Sequence, residues 1–480
     1  MKKYILVAMV AVGLYGCSDD KYADYNIDDK NPSQVAADYL FTSATKNLSD
    51  QSATPNVNLN IFRFVSQYLT STEYLQEPNY DLTNRNIPGN QWERLTQRVL
   101  FNLQNAKVNI DNDIVLSETE FLTQDQKNAR KAQIEVLMVY TWQVMVDTFG
   151  DIPYSEALDI DNTLPAYDKA AAIYEDLINR LIAINDYFDA AQGFETADVL
   201  YSGDMLKWKK LSNSVLLRLG MRIVDANPSL AETAVETAIN NGVLDSNDDN
   251  ALIYYESLPT NSNPLWQNLV QSGRADYVAA NTLVDYMNDL QDPRRASYFD
   301  NNLGEDVYTG GEYGDSNTFA NFSHMGEDFR NPEHPAILLD YAEVKFLMAE
   351  AAERGIAGLT NAASHYNDAV TASIVFWGGT EAEAASYLSQ TDVVYTSSDW
   401  KEKIGLQYWI AMYDNPMEGW NSWRKYDAPQ LNLPVDTGNP VPLRYTYPVD
   451  EQNLNPDNYA AAAAAIGGDT QQTRLFWDVD

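Results

Sequence analysis

The strongest constraint on this chain is a helical spacing of apolar residues that recurs from segment to segment, with almost no alternating, strand-like pattern beside it. In "ARKAQIEVLMVYTWQVMVDTF" (Ala129–Phe149), Ile134, Leu137, Met138, Thr141 and Met145 fall three and four residues apart on one stripe. Ala170–Phe188 repeats the pattern with Ile173, Leu177, Leu181 and Ile184, and Asp204–Ile223 repeats it again before Asn227-Pro228. Tyr341–Arg354 halts at Gly355, a residue that tolerates the left-handed turn ending many helices. Asn361–Ser373 and Lys401–Tyr413 complete the set. Strand candidates are short: Ala251–Glu256 and Tyr445–Tyr447. The pattern predicts a mostly helical chain with few strands.

Two of these helices carry a repeat signature. Ala342 and Ala349, followed by Ala362, Tyr366 and Ala369, have the small-residue offsets of a tetratricopeptide helix pair, in which small residues allow close approach and an aromatic fills the adjoining groove. Segments 129–149 and 170–188 form a second candidate pair of similar lengths. The expectation is a set of degenerate tetratricopeptide-like repeats, interrupted by long loops at 76–91, 257–273, 299–335 and 414–450. These loops are rich in Asn, Gly, Pro and aromatics, and irregular stretches of such length often carry function. Hydrophobic residues make up 45% of the chain, enough for a sizeable core, and residues 31–480 read as one domain.

The only cysteine is Cys17, so no disulfide forms within the chain and packing must hold it together. Ahead of Cys17, Met1-Lys2-Lys3 is basic and Tyr4–Leu14 is apolar but too short to span a bilayer, as in a secretory signal peptide over residues 1–16. Leu14-Tyr15-Gly16-Cys17 resembles a bacterial lipobox, which makes Cys17 the expected lipidation site. Acyl chains there add about 0.8 kcal/mol of membrane affinity per buried CH₂. Residues 17–30 then read as a lipidated flexible tether containing Asp19, Asp20, Asp24, Asp28 and Asp29. An acidic stretch at that place resembles the surface-export signal of Bacteroidetes lipoproteins. The net charge of −37, more negative still once Lys2 and Lys3 leave, argues against nucleic acid or anionic lipid as partners.

Several motifs in order resemble the SusD/RagB family of outer-membrane nutrient-binding lipoproteins, in its SusD-like branch. They are "DTFGDIPYSEAL" (147–158), "WKKLSNSVLLRLGMRI" (208–223), "NGVLDSNDDNALIYY" (241–255), "DPRRASYF" (292–299), "LLDYAEVKFLMAEAAERG" (338–355), and the C-terminal "RYTYPVDEQNLNPDNYAAA" (444–462) and "TRLFWDV" (473–479). The resemblance implies an all-α fold: degenerate tetratricopeptide-like helical repeats that form a right-handed scaffold, with a loop-rich, ligand-binding remainder. It further implies a lipid-anchored, surface-exposed protein of the outer membrane. Such a protein passes a glycan, or in some members a peptide, to a SusC-like TonB-dependent transporter.

The residues themselves allow other readings. Gly150, Pro153 and Glu156 read as a structural corner, with Glu156 opening a short helix, rather than as catalytic acids. Arg218 and Arg222 lie on one helix face and are expected to be buried against carboxylates. No nucleophile elbow, zinc-protease, P-loop or dinucleotide motif is present, and His324, His334 and His365 have no recognisable metal spacing, so no enzyme is expected. Asp245, Asn247, Asp249 and Glu256 partly match a calcium loop, but a polar turn entering the following strand explains them better, and no cofactor is required. Ligand recognition asks for aromatic faces beside planar polar groups. Three loops offer them: Tyr80, Asn84, Arg85 and Trp92; Trp266 and Arg274; Tyr308 and Tyr313, in a stretch whose glycines would let a ligand come near. The expected ligand is an oligosaccharide, with a peptide as the alternative; an adhesin-type repeat lipoprotein that binds host protein is the reading from another class.

Overall fold

The computed structural model describes residues 34–116, 121–189 and 192–479. The expected signal peptide, the expected lipidation site Cys17 and the expected tether lie outside the described residues. The fold is all-α, and its long helices pack in consecutive pairs: α1 (Ala37–Ala53) with α2 (Phe101–Asp111), α3 (Gln124–Phe149) with α4 (Ala170–Ile184), α5 (Met205–Arg222) with α6 (Pro228–Asn241), α7 (Tyr341–Arg354) with α8 (Ala362–Phe376), and α9 (Trp400–Ala411) with α10 (Pro416–Tyr426). The stops and starts follow local chemistry. Thr123 and Gln126 form a reciprocal capping box at α3, the Asp204 carboxylate accepts from the Leu206 and Lys207 amides, and Asp340 accepts from Glu343 N. Gly355 ends α7 at φ 69°, where a side chain would be strained.

The expected apolar stripe on α3 is only part of its buried surface. Ala132, Val136, Val139, Tyr140, Trp142 and Val146 are buried as well, on the remaining faces. A helix covered all round is a central rod rather than an amphipathic outer one. In the pair α7·α8, Phe346 and Tyr366 meet edge-on at 6.3 Å and the Tyr366 hydroxyl donates to the Val393 carbonyl.

The expected strand at 251–256 is shorter, Ala251–Ile253, and 445–447 is not a strand: Tyr445 N donates to Thr148 O as a single crossing. Glu156 opens no helix; its carboxylate instead closes a turn, accepting from Asn162 Nδ2 and Ala166 N. The long loop expected at 414–450 contains α10. Its Trp420 indole donates to the Pro442 carbonyl, so the aromatic cluster there is core.

Among the described residues the strands form two-stranded antiparallel ladders: β1 (Leu69–Ser71) with β5 (Tyr277–Ala279), β2 (Ile152–Pro153) with β3 (Tyr167–Asp168), and β4 (Ala251–Ile253) with β6 (Ala336–Leu339). The first has the greatest consequence. Ser71 stands opposite Tyr277, and Thr72 N donates to Asp276 O. Two segments some two hundred residues apart therefore leave the ladder side by side.

Arg218 and Arg222 are buried and paired, as their sequence setting suggests. Arg218 meets Glu343 at 2.5 Å and donates to the Leu338 carbonyl; Arg222 pairs with Glu418 and lies 3.7 Å from Asp147. The Trp477 indole donates to Asp147 at 2.9 Å, which ties the C-terminal segment to α3.

Candidate ligand-binding site

The β1·β5 ladder places the loop after Ser71 beside the loop before Tyr277, and an open cavity of about 230 Å³ lies between them. Tyr74 stands in its wall, 42% exposed. The Arg85 guanidinium lies 5.5 Å from the Tyr74 ring centre and that of Arg274 lies 5.7 Å from it. Each arginine has its own carboxylate: Arg85 donates through Nε to Glu77, and Arg274 pairs with Asp276. The Asp276 hydrogen bond holds the Arg274 guanidinium above its ordinary pKa, so its charge is permanent. Burial pushes the Tyr277 phenol up, which keeps it a neutral donor or acceptor. Asn56, Asn58, Ser71 and Asn268 add polar edges.

Two side pockets adjoin this cavity. One shares Asn268, Arg274, Asp276 and Tyr277 with it and is continued by Leu269, Phe319 and His324, whose rings stack with centroids 3.7 Å apart. The other lies beyond Asn58 and is lined by Leu59, Asn90, Glu93, Arg94 and Arg98; Asn90 Nδ2 bridges the Asn58 and Arg85 carbonyls at its border. Around Tyr74 the groove thus offers aromatic surface beside many planar polar groups. Such a groove can stack a ring and hydrogen-bond its substituents.

Of the residues singled out from sequence, Arg85 and Arg274 come together here. Asn84 is exposed on the turn before Arg85, its amide held by Asp81. Trp92 packs edge-on against Phe149 at 5.0 Å, and Trp266 is half-buried in the turn Pro264–Trp266; neither lines the cavity. Tyr80 and Tyr313 are buried 6.1 Å from each other, the first accepting from Gln67 Nε2 and the second donating to the Phe64 carbonyl. Tyr308 is buried against Phe299 and beneath Arg295. The glycines of that third loop serve packing rather than access: a Cβ on Gly310 would stand 2.3 Å from Asn281 Cα. Tyr74, Glu77, Asp276 and Phe319 were not singled out. Asp276 is visible in retrospect as the acid nearest Arg274 in sequence; Glu77 is not, since Asp81 stands closer to Arg85, and nothing near Tyr74 marks it.

The calcium-loop match has a plain physical outcome. The Lys210 ammonium lies between Asp245 and Asp249, 3.0 and 2.8 Å from their carboxylates, where a cation would sit. Asn247 donates to the Ala372 carbonyl, and the turn leads into β4. Among the described residues no cluster of three or more His, Cys, Asp or Glu is placed to hold a metal. No helix there is long and apolar enough to cross a membrane.

A paired-helix scaffold that holds an open, polar-rimmed aromatic groove defines a class: an all-helical ligand-binding protein. The family follows from comparison. Residues 29–448 match the SusD-like family model described as starch-binding and associating with the outer membrane, and the chain belongs to that family. A solved chitin-binding protein is similar at 27% identity, with TM-score 0.79, covering 92% of this chain and 100% of its own. A chitin-binding SusD homologue from Flavobacterium johnsoniae is 26% identical with TM-score 0.77, covering 92% and 99%. A SusD homologue from Bacteroides uniformis, 24% identical with TM-score 0.78 and covering 92% and 100%, shares the fold. No curated protein sequence matches the chain. Membership supports glycan binding and association with the outer membrane.

Proposed function

We propose that this protein captures an oligosaccharide at the cell surface, in the groove around Tyr74, and delivers it to a SusC-like TonB-dependent transporter without altering any bond. The observation that carries the reading is the convergence of Arg85 and Arg274, each neutralised by its own carboxylate, on one exposed tyrosine. A sugar ring packs on the part of Tyr74 that solvent reaches while the paired guanidinium and carboxylate groups meet adjacent hydroxyls. Acylation of Cys17 supplies the anchor to the outer membrane, and residues 18–30 supply the reach. The two similar proteins described as chitin-binding support a β-linked N-acetylglucosamine chain as the first ligand to test.

Calorimetric titration of residues 18–480 with chitohexaose, other glycan hexamers and peptides tests the reading. Saturable glycan binding that weakens about tenfold in Tyr74→Ala is the expected result. Binding of peptides alone, or turnover of a glycan by the purified protein, would refute it. For the anchor, Cys17→Ala is expected to move the protein out of the outer-membrane fraction.

A further inference from the structure

The side pocket beyond Asn58 carries cations that the fold leaves unused. It holds about 280 Å³ and is lined by Leu59, Asn90, Glu93, Arg94 and Arg98. Arg98 is exposed, and among the described residues no carboxylate or carbonyl holds its guanidinium. Arg94 makes no side-chain hydrogen bond there either. Its nearest acid is Asp50 at 3.6 Å, and that carboxylate is already taken by Lys46 at 2.8 Å and by the Tyr255 hydroxyl. The two arginines at Tyr74 show the contrast, since each is hydrogen-bonded to a carboxylate of its own. Among the wall residues of the side pocket and the groups paired with them, three cations stand against two carboxylates, on a chain whose net charge is −37. The stretch that carries both arginines, Arg94–Leu100, is π-helical and runs straight into α2. Such turns inside helices occur frequently at functional sites.

Resting on the reading above, we infer that this pocket is an acid subsite of the groove: Arg98 binds a carboxylate or sulfate substituent on a glycan whose neighbouring units occupy the Tyr74 cavity. The planar guanidinium fork matches either oxyanion, and Arg94 adds positive charge beside it. Asn90, bridging the Asn58 and Arg85 carbonyls, sets the pocket directly against that cavity, so a chain seated there extends into it. The chain's overall negative charge does not oppose this contact at range, because charges beyond about 8 Å are screened at physiological salt.

The experiment titrates wild type and Arg98→Gln, at physiological salt, with chitohexaose, 6-O-sulfated chitohexaose, hyaluronan hexasaccharide and the methyl ester of the last. Each acid chain thus has a neutral counterpart on the same sugar backbone. Wild type is expected to bind at least one acid chain about tenfold more tightly than its counterpart, the scale of a hydrogen bond to a charged group. In Arg98→Gln that preference is expected to vanish while the neutral chains keep their affinity, a pattern that misfolding cannot produce. A preference for the sulfated chain alone assigns the substituent as sulfate, and one for hyaluronan alone as a uronic carboxylate. Wild type binding both acid chains no more tightly than their counterparts overturns the inference and leaves the proposed function standing. A preference that survives Arg98→Gln does the same, as does an equal loss of neutral and acid chains in the variant. Wild type binding none of the four chains overturns the inference; if no other hexamer of the glycan panel binds either, the proposed function falls with it.

Discussion

Arginine, carboxylate and aromatic ring meet in two regions of this molecule with opposite results. In the helical core, Arg218 lies over Tyr140 at 5.2 Å and is bound by Glu343, Arg222 lies over Trp477 at 5.2 Å beside Glu418, and Arg424 covers Trp420 at 3.6 Å. Arg218 and Glu343 are essentially without solvent exposure. In the groove, Arg85 and Arg274 lie over Tyr74 with the same chemistry, but their side chains are 28% and 54% exposed. The parts are the same and the solvent differs. Where water is excluded, the triad can only hold the fold; where water reaches it, the ring and the unused hydrogen-bonding atoms are free to meet a ligand.

That contrast breaks most visibly at Arg218. Arg218→Ala would strand Glu343 inside the core, and about 3–5 kcal/mol of stability is expected to go, read by chemical denaturation. A loss comparable to that of a surface substitution would show the core pairs to be idle.

Next comes Asp340, which caps α7 beside Glu343. Burial, together with the Glu343 charge, raises its carboxyl to about 7, against the bond from Glu343 N. A raised acid favours the fold at low pH, and that contribution is lost as pH rises from the unfolded value near 4 to about 7. Asp340→Asn keeps the cap and removes the titration, so its stability relative to wild type is expected to improve across that window, by at most about 4 kcal/mol. Parallel wild-type and variant melting curves at pH 4 and pH 8 would refute the assignment.

In the open region, Tyr74→Ala is expected to weaken glycan binding about tenfold while stability stays within about 0.5 kcal/mol. An equal loss in both measurements would mean that the groove, too, is scaffold. The smallest effect is that of calcium: with Lys210 between Asp245 and Asp249, millimolar Ca²⁺ is expected to leave the melting temperature unchanged. A clear upward shift would show the lysine displaced.

The scaffold was legible because helical periodicity is local. Tyr341–Arg354 begins and ends where Asp340 and Gly355 say it should. Other helices were missed for physical reasons. α10 opens on a Pro, carries a Gly inside it and buries polar residues such as Glu418 and Asn421, so it reads as a loop. α1 mixes buried Thr45, Ser49 and Gln51 into its inner face. The groove was only half legible. Arg85 and Arg274 belong to the loops chosen for their composition, but the aromatics picked with them face inward, because a Tyr that finds an internal acceptor, as Tyr313 finds the Phe64 carbonyl, gains more by burial than by exposure. Tyr74 is defined by the pairing of Ser71 with Tyr277, a contact that spacing along the chain does not encode.

The bond from the Trp477 indole to Asp147 bears on how the interior is closed. Asp147 lies near the end of the central rod, where the Tyr174 hydroxyl also donates to it, and Trp477 reaches it from 330 residues further along. A contact of that span must overcome loop-closure entropy before it rewards the fold. The middle of this molecule is therefore sealed by strangers in sequence, not by neighbours, and zipping up one helix pair after another does not complete it.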